Sequence, residues 1–531
     1  MKNYIYILVF LPYLFASCTD DFVEANTDPF DITDESLKQD FNNVGSFYSG
    51  MLYEIFGNQI DHNLTNVSYA QALAQPTRFV GNVNNTTYYI TWNGYWAREY
   101  DNVMAPAKQV IGIAETENYP MFVEWANLIR ILSMSRLTTY YGPVLYSQYG
   151  IEGTAQYDSE PELYAAFFSD LDRIISTFSA NTDYVGFNAF DKSPYGGNVA
   201  SWAKFANSLR LRLAMRISKA DPVLAKAQGE KALADPAGLI ETNAENMLIF
   251  LNGNKFHPAQ ICFEWNDTRM SAKMESILVG YKDNRIHSYF EPVADATLVS
   301  DHPDWPYKGI RNGGELIAKD DHTPYSTINE DFNFPDKVTT RKVLSADEVF
   351  FIKAEAALRG WAGAGDAQEN YETGIQTSFD LWGAPGASDY LSDNTSIPID
   401  YNDPVYDDLE DGTVNDFTNN ITNTVAWDEA ADNETKLEKI ITQKWIAAFT
   451  NEMEAWVDFR RTGYPKLTPV YQNSSNSDWG IVPEGEFIKR MPYPNSEREG
   501  SPETIADAVS KLGGPDEINT RLWWDTGAPN F

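Results

Sequence analysis

Apolar residues recur at three- and four-residue steps along most of this chain, and that spacing predicts a mainly α-helical protein. From Met121 to Tyr140 they fall on nearly every side, the pattern of a helix buried among others. Trp202, Ala206, Leu209, Leu213 and Ile217 form one apolar face, Arg210, Arg212 and Arg216 are expected to project from its other sides, and Pro222 is placed to open the next helix. Ser345-Ala346-Asp347-Glu348 reads as a capping box for a helix through Val349, Ile352 and Ala356 that stops at Gly360. A second helix starts at Gly365-Asp366 and carries Tyr371, Ile375, Phe379 and Trp382 on one face. Two helices joined by a short Gly-rich turn are the unit from which helical repeats are stacked, although no fixed period is legible here. Leu437 to Phe459 reads as one further helix. Four long stretches break the pattern, at 76–95, 283–334, 383–432 and from 468 onward. Loops of that length are usually functional or packed down as an irregular layer.

The start of the chain follows different rules. After Met1-Lys2 an apolar run, Tyr4 to Ala16, stops at Ser17-Cys18, and Asp20-Asp21 follow. The run is shorter than the ~20 residues a span requires, so it reads as an export signal. A small residue before Cys18 resembles the bacterial lipoprotein signal, although Phe15 stands where that pattern prefers Leu. The resemblance implies that residues 1–17 are removed, that Cys18 is acylated, and that 18–35 form a polar tether. Residues 36–531 then form a single domain, since no Ser/Gly-rich or Pro-rich linker divides them.

With 531 residues, 43% of them hydrophobic, the chain can bury a large core. Its net charge of −36 repels phosphate backbones and makes nucleic acid a poor partner. If Cys18 is lipidated, Cys262 stands alone in the apolar run Ile261-Cys262-Phe263, as a buried structural thiol. There is no HExxH, GxSxG, phosphate-binding glycine loop or CxxC, and the five histidines have no ligand spacing. In the acidic run Asp407 to Gly412, Leu409 occupies a position where an EF-hand needs an oxygen, so the run reads as a solvated loop. No metal, cofactor or catalytic residue is expected, although carboxylate pairs for glycoside hydrolysis are invisible to sequence. What stands out is the segment around Arg78 and Asn82, followed by Tyr88-Tyr89-Ile90-Thr91-Trp92-Asn93-Gly94-Tyr95-Trp96. A sugar offers flat C–H faces and an edge of hydroxyls, which aromatic rings and in-plane polar groups match. Tyr88 and Trp92 are therefore expected as stacking platforms, with Arg78 and Asn82 as hydrogen-bonding groups. The competing reading makes Trp92 and Trp96 the start of a helix facing its core. Trp305 and Tyr307, in Trp305-Pro306-Tyr307-Lys308-Gly309, form a second candidate platform or simply a rigid turn.

Several blocks then resemble the SusD/RagB lipoproteins. Arg136-Leu137-Thr138-Thr139-Tyr140-Tyr141-Gly142-Pro143-Val144-Leu145-Tyr146 is similar to that family's R-L-x-x-x-Y-G-x-x-P-Y turn, with Leu145 in place of Pro. Arg216 to Pro222, Phe351 to Ala357, Asp458 to Pro465, Arg490 to Pro494 with Glu497, and Trp523-Trp524-Asp525 resemble further blocks in the family's order. The resemblance implies a SusD-like helical body with tetratricopeptide-like helix pairs and a loop-rich part carrying the ligand site. It also implies residence on the extracellular face of the outer membrane, as a non-catalytic lid that passes glycan to a TonB-dependent SusC-like transporter. Some members take peptide instead, and a surface glycoside hydrolase is the remaining alternative.

Overall fold

The computed structural model describes residues 34–55, 62–77, 84–151, 156–251, 257–316, 318–334, 337–405 and 414–531. Cys18, Arg78, Asn82 and the acidic run Asp407 to Gly412 lie outside them. Helix α1 (Asn42–Glu54) packs on α2 (Ala105–Thr116) and α3 (Pro120–Tyr141). From α2 onward each long helix packs on the next: α3 on α4 (Glu160–Ser179), α4 on α5 (Val199–Arg216), and α5 on α6 (Pro222–Ala234). Helix α3 is buried around its circumference, as its sequence predicts. Helix α4 shows how local signals agree with packing. Ser159 and Glu162 form a capping box, and Leu163, Phe167, Leu171, Ile174 and Phe178 make the stripe that faces the core. Pro222 opens α6, with Asp221 accepting the Leu224 N–H at 2.9 Å.

Helices α7 (Pro258–Glu264) and α8 (Ala272–Gly280) begin the loop-rich part, which returns to helix at α9 (Ala346–Leu358) and α10 (Ala367–Trp382). The last two pack side by side, with Gly360 at φ +68° in the turn between them. Helix α11 (Asn433–Ala447) lies against α9 and is followed by α12 (Glu452–Thr462) and, near the end of the chain, α13 (Pro502–Leu512). Among the described residues the strands form two antiparallel ribbons. These are β1 (Leu73–Ala74) with β3 (Arg269–Met270), and β2 (Met247–Phe250) with β4 (Thr340–Leu344). One continuous hydrophobic cluster runs from Val44 to Trp524. Among the described residues no helix is long and apolar enough to cross a membrane.

Two expectations are corrected and one is completed. Arg210, Arg212 and Arg216 project from the other sides of α5, as expected, and are buried there, because other elements surround that helix on all sides. Each is paired with carboxylate: Arg212 grips Glu348 at 2.8 and 2.6 Å, Arg216 bonds both oxygens of Glu454 at 2.9 and 2.8 Å, and Arg210 reaches Asp172 at 2.6 Å. Burying a guanidinium is tolerable only with such partners. For the same reason Glu348 does not complete a capping box. It serves Arg212, while Ser345 donates to Asp347 and Asn246 accepts the Ala346 N–H at 2.8 Å. Finally, the stretch Leu437 to Phe459 is two helices. The apolar period runs on across the break, but Thr450 adopts φ +73° and its N–H turns to Glu452 Oε1 at 2.8 Å.

Candidate functional site

The loop that carries Trp92 is built by asparagines. Asn84 opens a short turn, accepting the Thr86 N–H at 2.8 Å, and Tyr88 closes it at φ +67°. The buried Asn85 side chain then folds the following strand of chain. Its Oδ1 accepts the N–H groups of Thr91 (2.7 Å) and Trp92 (3.1 Å), and its Nδ2 donates to the Trp92 carbonyl at 2.8 Å. Irregular backbone must find hydrogen-bond partners outside a helix or ladder, and one amide here supplies three. The Trp92 ring lies across Gly94, where an added Cβ would meet Trp92 Cζ2 at 2.8 Å. Asn93 fixes the loop to the body: its Nδ2 donates to the Pro492 carbonyl at 2.7 Å, and Tyr141 Oη donates to its Oδ1 at 2.5 Å. Both partners belong to blocks that the sequence marks. Beyond Asn93 the chain enters the core, where Tyr95 stacks on Tyr140 at 4.4 Å and Trp96 is packed among Tyr100, Tyr141, Tyr157 and Tyr493.

Two neighbouring segments extend this wall. The Ser474 N–H bonds the Thr87 carbonyl at 2.8 Å, and the Gln472 N–H bonds the Gly313 carbonyl at 2.7 Å. Arg311 donates to the carbonyls of Val414 (2.9 Å), Asp416 (3.0 Å) and Pro469 (3.2 Å) and lies 5.7 Å from the ring of Tyr471. Tyr89 and Tyr471, 36% and 46% exposed, are therefore aromatic faces on adjoining segments, and Trp92 is half-buried. Sequence reasoning passed over Tyr471, which sits among polar residues with no aromatic neighbour to mark it. It also missed Trp265, 56% exposed at the end of α7.

The other candidate rings separate by burial. Tyr88 is only 3% exposed and packs against Tyr69, so it is a core residue and offers no free face. Burial pushes its phenol well above the usual range. Trp96 faces the core, as the competing reading of that pair holds, while Trp92 keeps part of its surface. Trp305 is half-buried and stacked on His287, with centroids 5.5 Å apart and planes 14° apart. Tyr307 is buried beside it, its hydroxyl 2.6 Å from His287 Nδ1, and burial pushes its phenol up to about 12. Glu275 holds this segment rigid by binding Lys308 Nζ (2.8 Å) and the Gly309 N–H (2.6 Å). Trp92 is thus set by Asn85 and Gly94, and Trp305 by α8 and His287, on separate walls.

Four further groups that could carry chemistry are structural in their surroundings. Cys262 is buried, its Sγ 2.7 Å from Asn63 Oδ1, and burial pushes the thiol up to about 12. His62, His302 and His322 are spent on Glu452, Glu275 and Asp403. Among the described residues no group of three or more His, Cys, Asp or Glu side chains could hold a metal ion.

The fold has close relatives. A chitin-binding SusD homologue from Flavobacterium johnsoniae is 38% identical, covering 92% of this chain and 100% of its own, with a TM-score of 0.83. A SusD homologue from Bacteroides vulgatus is 33% identical over 93% of this chain and 100% of its own, also at 0.83. A SusD-like protein from Bacteroides thetaiotaomicron is 31% identical over 90% and 98%, at 0.79. No curated protein matches the chain. The family model for SusD-like proteins, described as SusD and RagB outer membrane lipoproteins, matches residues 24–525, and this chain belongs to that family.

Proposed function

We propose that this chain is a non-catalytic glycan-binding lipoprotein of the cell surface. Cys18, acylated, anchors it to the outer face of the outer membrane, and residues 18–35 serve as the tether. It captures oligosaccharide or polysaccharide and hands it, as a lid, to a TonB-dependent SusC-like transporter. The observation that carries the reading is the Trp92 wall: a ring seated on Gly94, immobilised by Asn85 and Asn93, with the exposed faces of Tyr89 and Tyr471 on adjoining segments. Preorganised aromatic faces lose little entropy on binding, which suits flat sugar rings. Arg78 and Asn82 supply hydrogen bonds from the neighbouring segment, and Trp305 adds a second, separate platform. The likeness to a chitin-binding homologue puts chito-oligosaccharides first among ligands to test.

Calorimetry with chito-oligosaccharides and a panel of other glycans tests this reading. Trp92→Ala should weaken binding by about 1–3 kcal/mol, by analogy with base–aromatic stacking, and leave the melting temperature nearly unchanged. A large fall in melting temperature with affinity intact would return Trp92 to the scaffold. Release of reducing ends would sink the non-catalytic reading, and binding of peptides but no glycan would point to a peptide-capturing lid. Cys18→Ala should release the protein from membranes, and the transporter should co-purify from detergent extracts of cells that express both.

A further inference from the structure

On another part of the molecule a half-open cavity of about 260 Å³ sits over one face of the β2–β4 ribbon. Leu248 and Lys342 are register partners across the ribbon, so both side chains stand on that face and form the floor together with Thr340. Trp382, at the end of α10, and Phe332 supply aromatic walls, and Thr450, at the break between α11 and α12, closes one side.

The chemistry of this lining is unusual for the chain that bears it. The protein carries a net charge of −36, yet the described residues that line the cavity include two lysines and a histidine and no carboxylate. Lys337 is already ion-paired with Asp331. Lys342 is not: it is 7% exposed, and its Nζ makes one hydrogen bond, to the Ala447 carbonyl at 2.6 Å. No described carboxylate forms an ion pair with it, in contrast to the arginines of α5. An ammonium has three donors, and a buried cation without a counter-charge is costly to keep. The Trp382 ring is held edge-on against Tyr289 at 4.7 Å and Phe449 at 5.8 Å, so that wall is fixed in place.

We propose that this cavity binds a carboxylate-bearing six-membered ring, its carboxylate taken by Lys342 and its flat face by Trp382, Phe332 and Leu248. The volume lies just below the roughly 300 Å³ at which typical ligand sites begin, so it takes one ring, not a chain. Two sources share that chemistry: a uronic acid from an acidic glycan, or an aromatic acid. The site shares no lining residue with the Trp92 wall and does not depend on the function proposed for it.

The test is calorimetry or ligand-detected NMR on the full mature chain, with sodium D-glucuronate, D-galacturonate and benzoate, against D-glucose and D-galactose. The acids should bind at least tenfold more tightly than the neutral sugars. Preference for the uronates or for benzoate identifies the source, and either supports the site. Lys342→Met should cost tenfold or more in acid binding. Leu248→Glu sets a carboxylate opposite Lys342 on the floor and should cost tenfold or more in acid binding even if the lysine variant fails to fold. Trp92→Ala should leave acid binding unchanged. Equal binding of acids and neutral sugars, acid binding insensitive to Leu248→Glu, or no binding of any acid at 10 mM would each overturn the proposal.

Discussion

The helical body and the loop-rich part solve the same burial problem with different side chains. In the body, backbone polar groups are satisfied inside each helix, so charged side chains are free to tie helices to one another. Arg212 joins α5 to α9 through Glu348, Arg216 joins α5 to α12 through Glu454, and Arg461 joins α12 to α9 through Glu355. In the loops the backbone itself lacks partners, and neutral amides supply them. Asn85 serves Thr91 and Trp92. Asn415 exchanges two bonds with the backbone of Glu315 (2.7 and 2.9 Å), and Asn419 bonds the backbone of Pro398 (2.8 Å) and Ile421 (2.7 and 3.0 Å). The difference matters energetically. An ion pair between helices couples distant elements, whereas an asparagine fixes only the few residues around it.

The largest expected effect breaks the body. Burial raises the Glu454 carboxyl, but Arg216, Arg212 and Lys444 outweigh it and hold the group down at about 2. Glu454→Ala leaves two buried guanidiniums short of a partner and should cost about 3–5 kcal/mol of global stability, read by denaturant unfolding. Asn85→Ala is the matching change in the loops. It strands the Thr91 and Trp92 N–H groups and the Trp92 carbonyl, at about 1–3 kcal/mol. Its signature should be local, with faster amide hydrogen exchange at Thr91 and Trp92 and weakened glycan binding while α3 to α6 stay protected.

Glu160 lies where α4 meets the C-terminal stretch, accepting the Trp523 N–H at 2.8 Å. Burial pushes its carboxyl up to about 7. Between the usual carboxylate range and that value the native state holds a proton that the unfolded chain has lost. Its contribution is therefore complete at low pH and falls away as pH rises toward 7. Glu160→Gln should remove that slope and leave the variant more stable at pH 8, by on the order of 1–3 kcal/mol, in melting curves taken across pH. The smallest effect belongs to a purely local device. Asp366 caps α10 by accepting the Glu369 N–H at 2.9 Å, and Asp366→Ala should cost about 1 kcal/mol of stability without touching either binding surface.

These two modes of construction also explain what could be read from sequence. Helices with a regular stripe, such as α5 and α10, were legible because one period encodes both the element and its buried face. The burial of Arg210, Arg212 and Arg216 was not legible, because a charged residue opposite an apolar stripe carries no mark of its carboxylate partner, distant in sequence. The break at Thr450 was invisible because Trp445 and Trp456 keep the apolar period going across it. At the candidate site, aromatic density drew attention to one loop and blurred its members. Tyr88, Trp92 and Trp96 are alike in composition, and only packing makes the first and third core residues while leaving the second half-exposed. Tyr471, isolated in sequence, gave no such signal.

Asn93 has a consequence for how binding specificity can change in proteins built this way. Both ends of its amide are engaged, by Pro492 on one side and Tyr141 on the other, so the loop's position is set by a socket assembled from residues hundreds of positions apart. The tip before it, from Tyr89 to Trp92, carries the rings, while Asn93-Gly94-Tyr95 acts as a plug. Tips can then be exchanged between relatives as cassettes, provided the plug stays with the socket, and a new surface chemistry is acquired without refitting the body. A graft that moves the whole segment and leaves Tyr141 and Pro492 behind carries over the rings without their alignment.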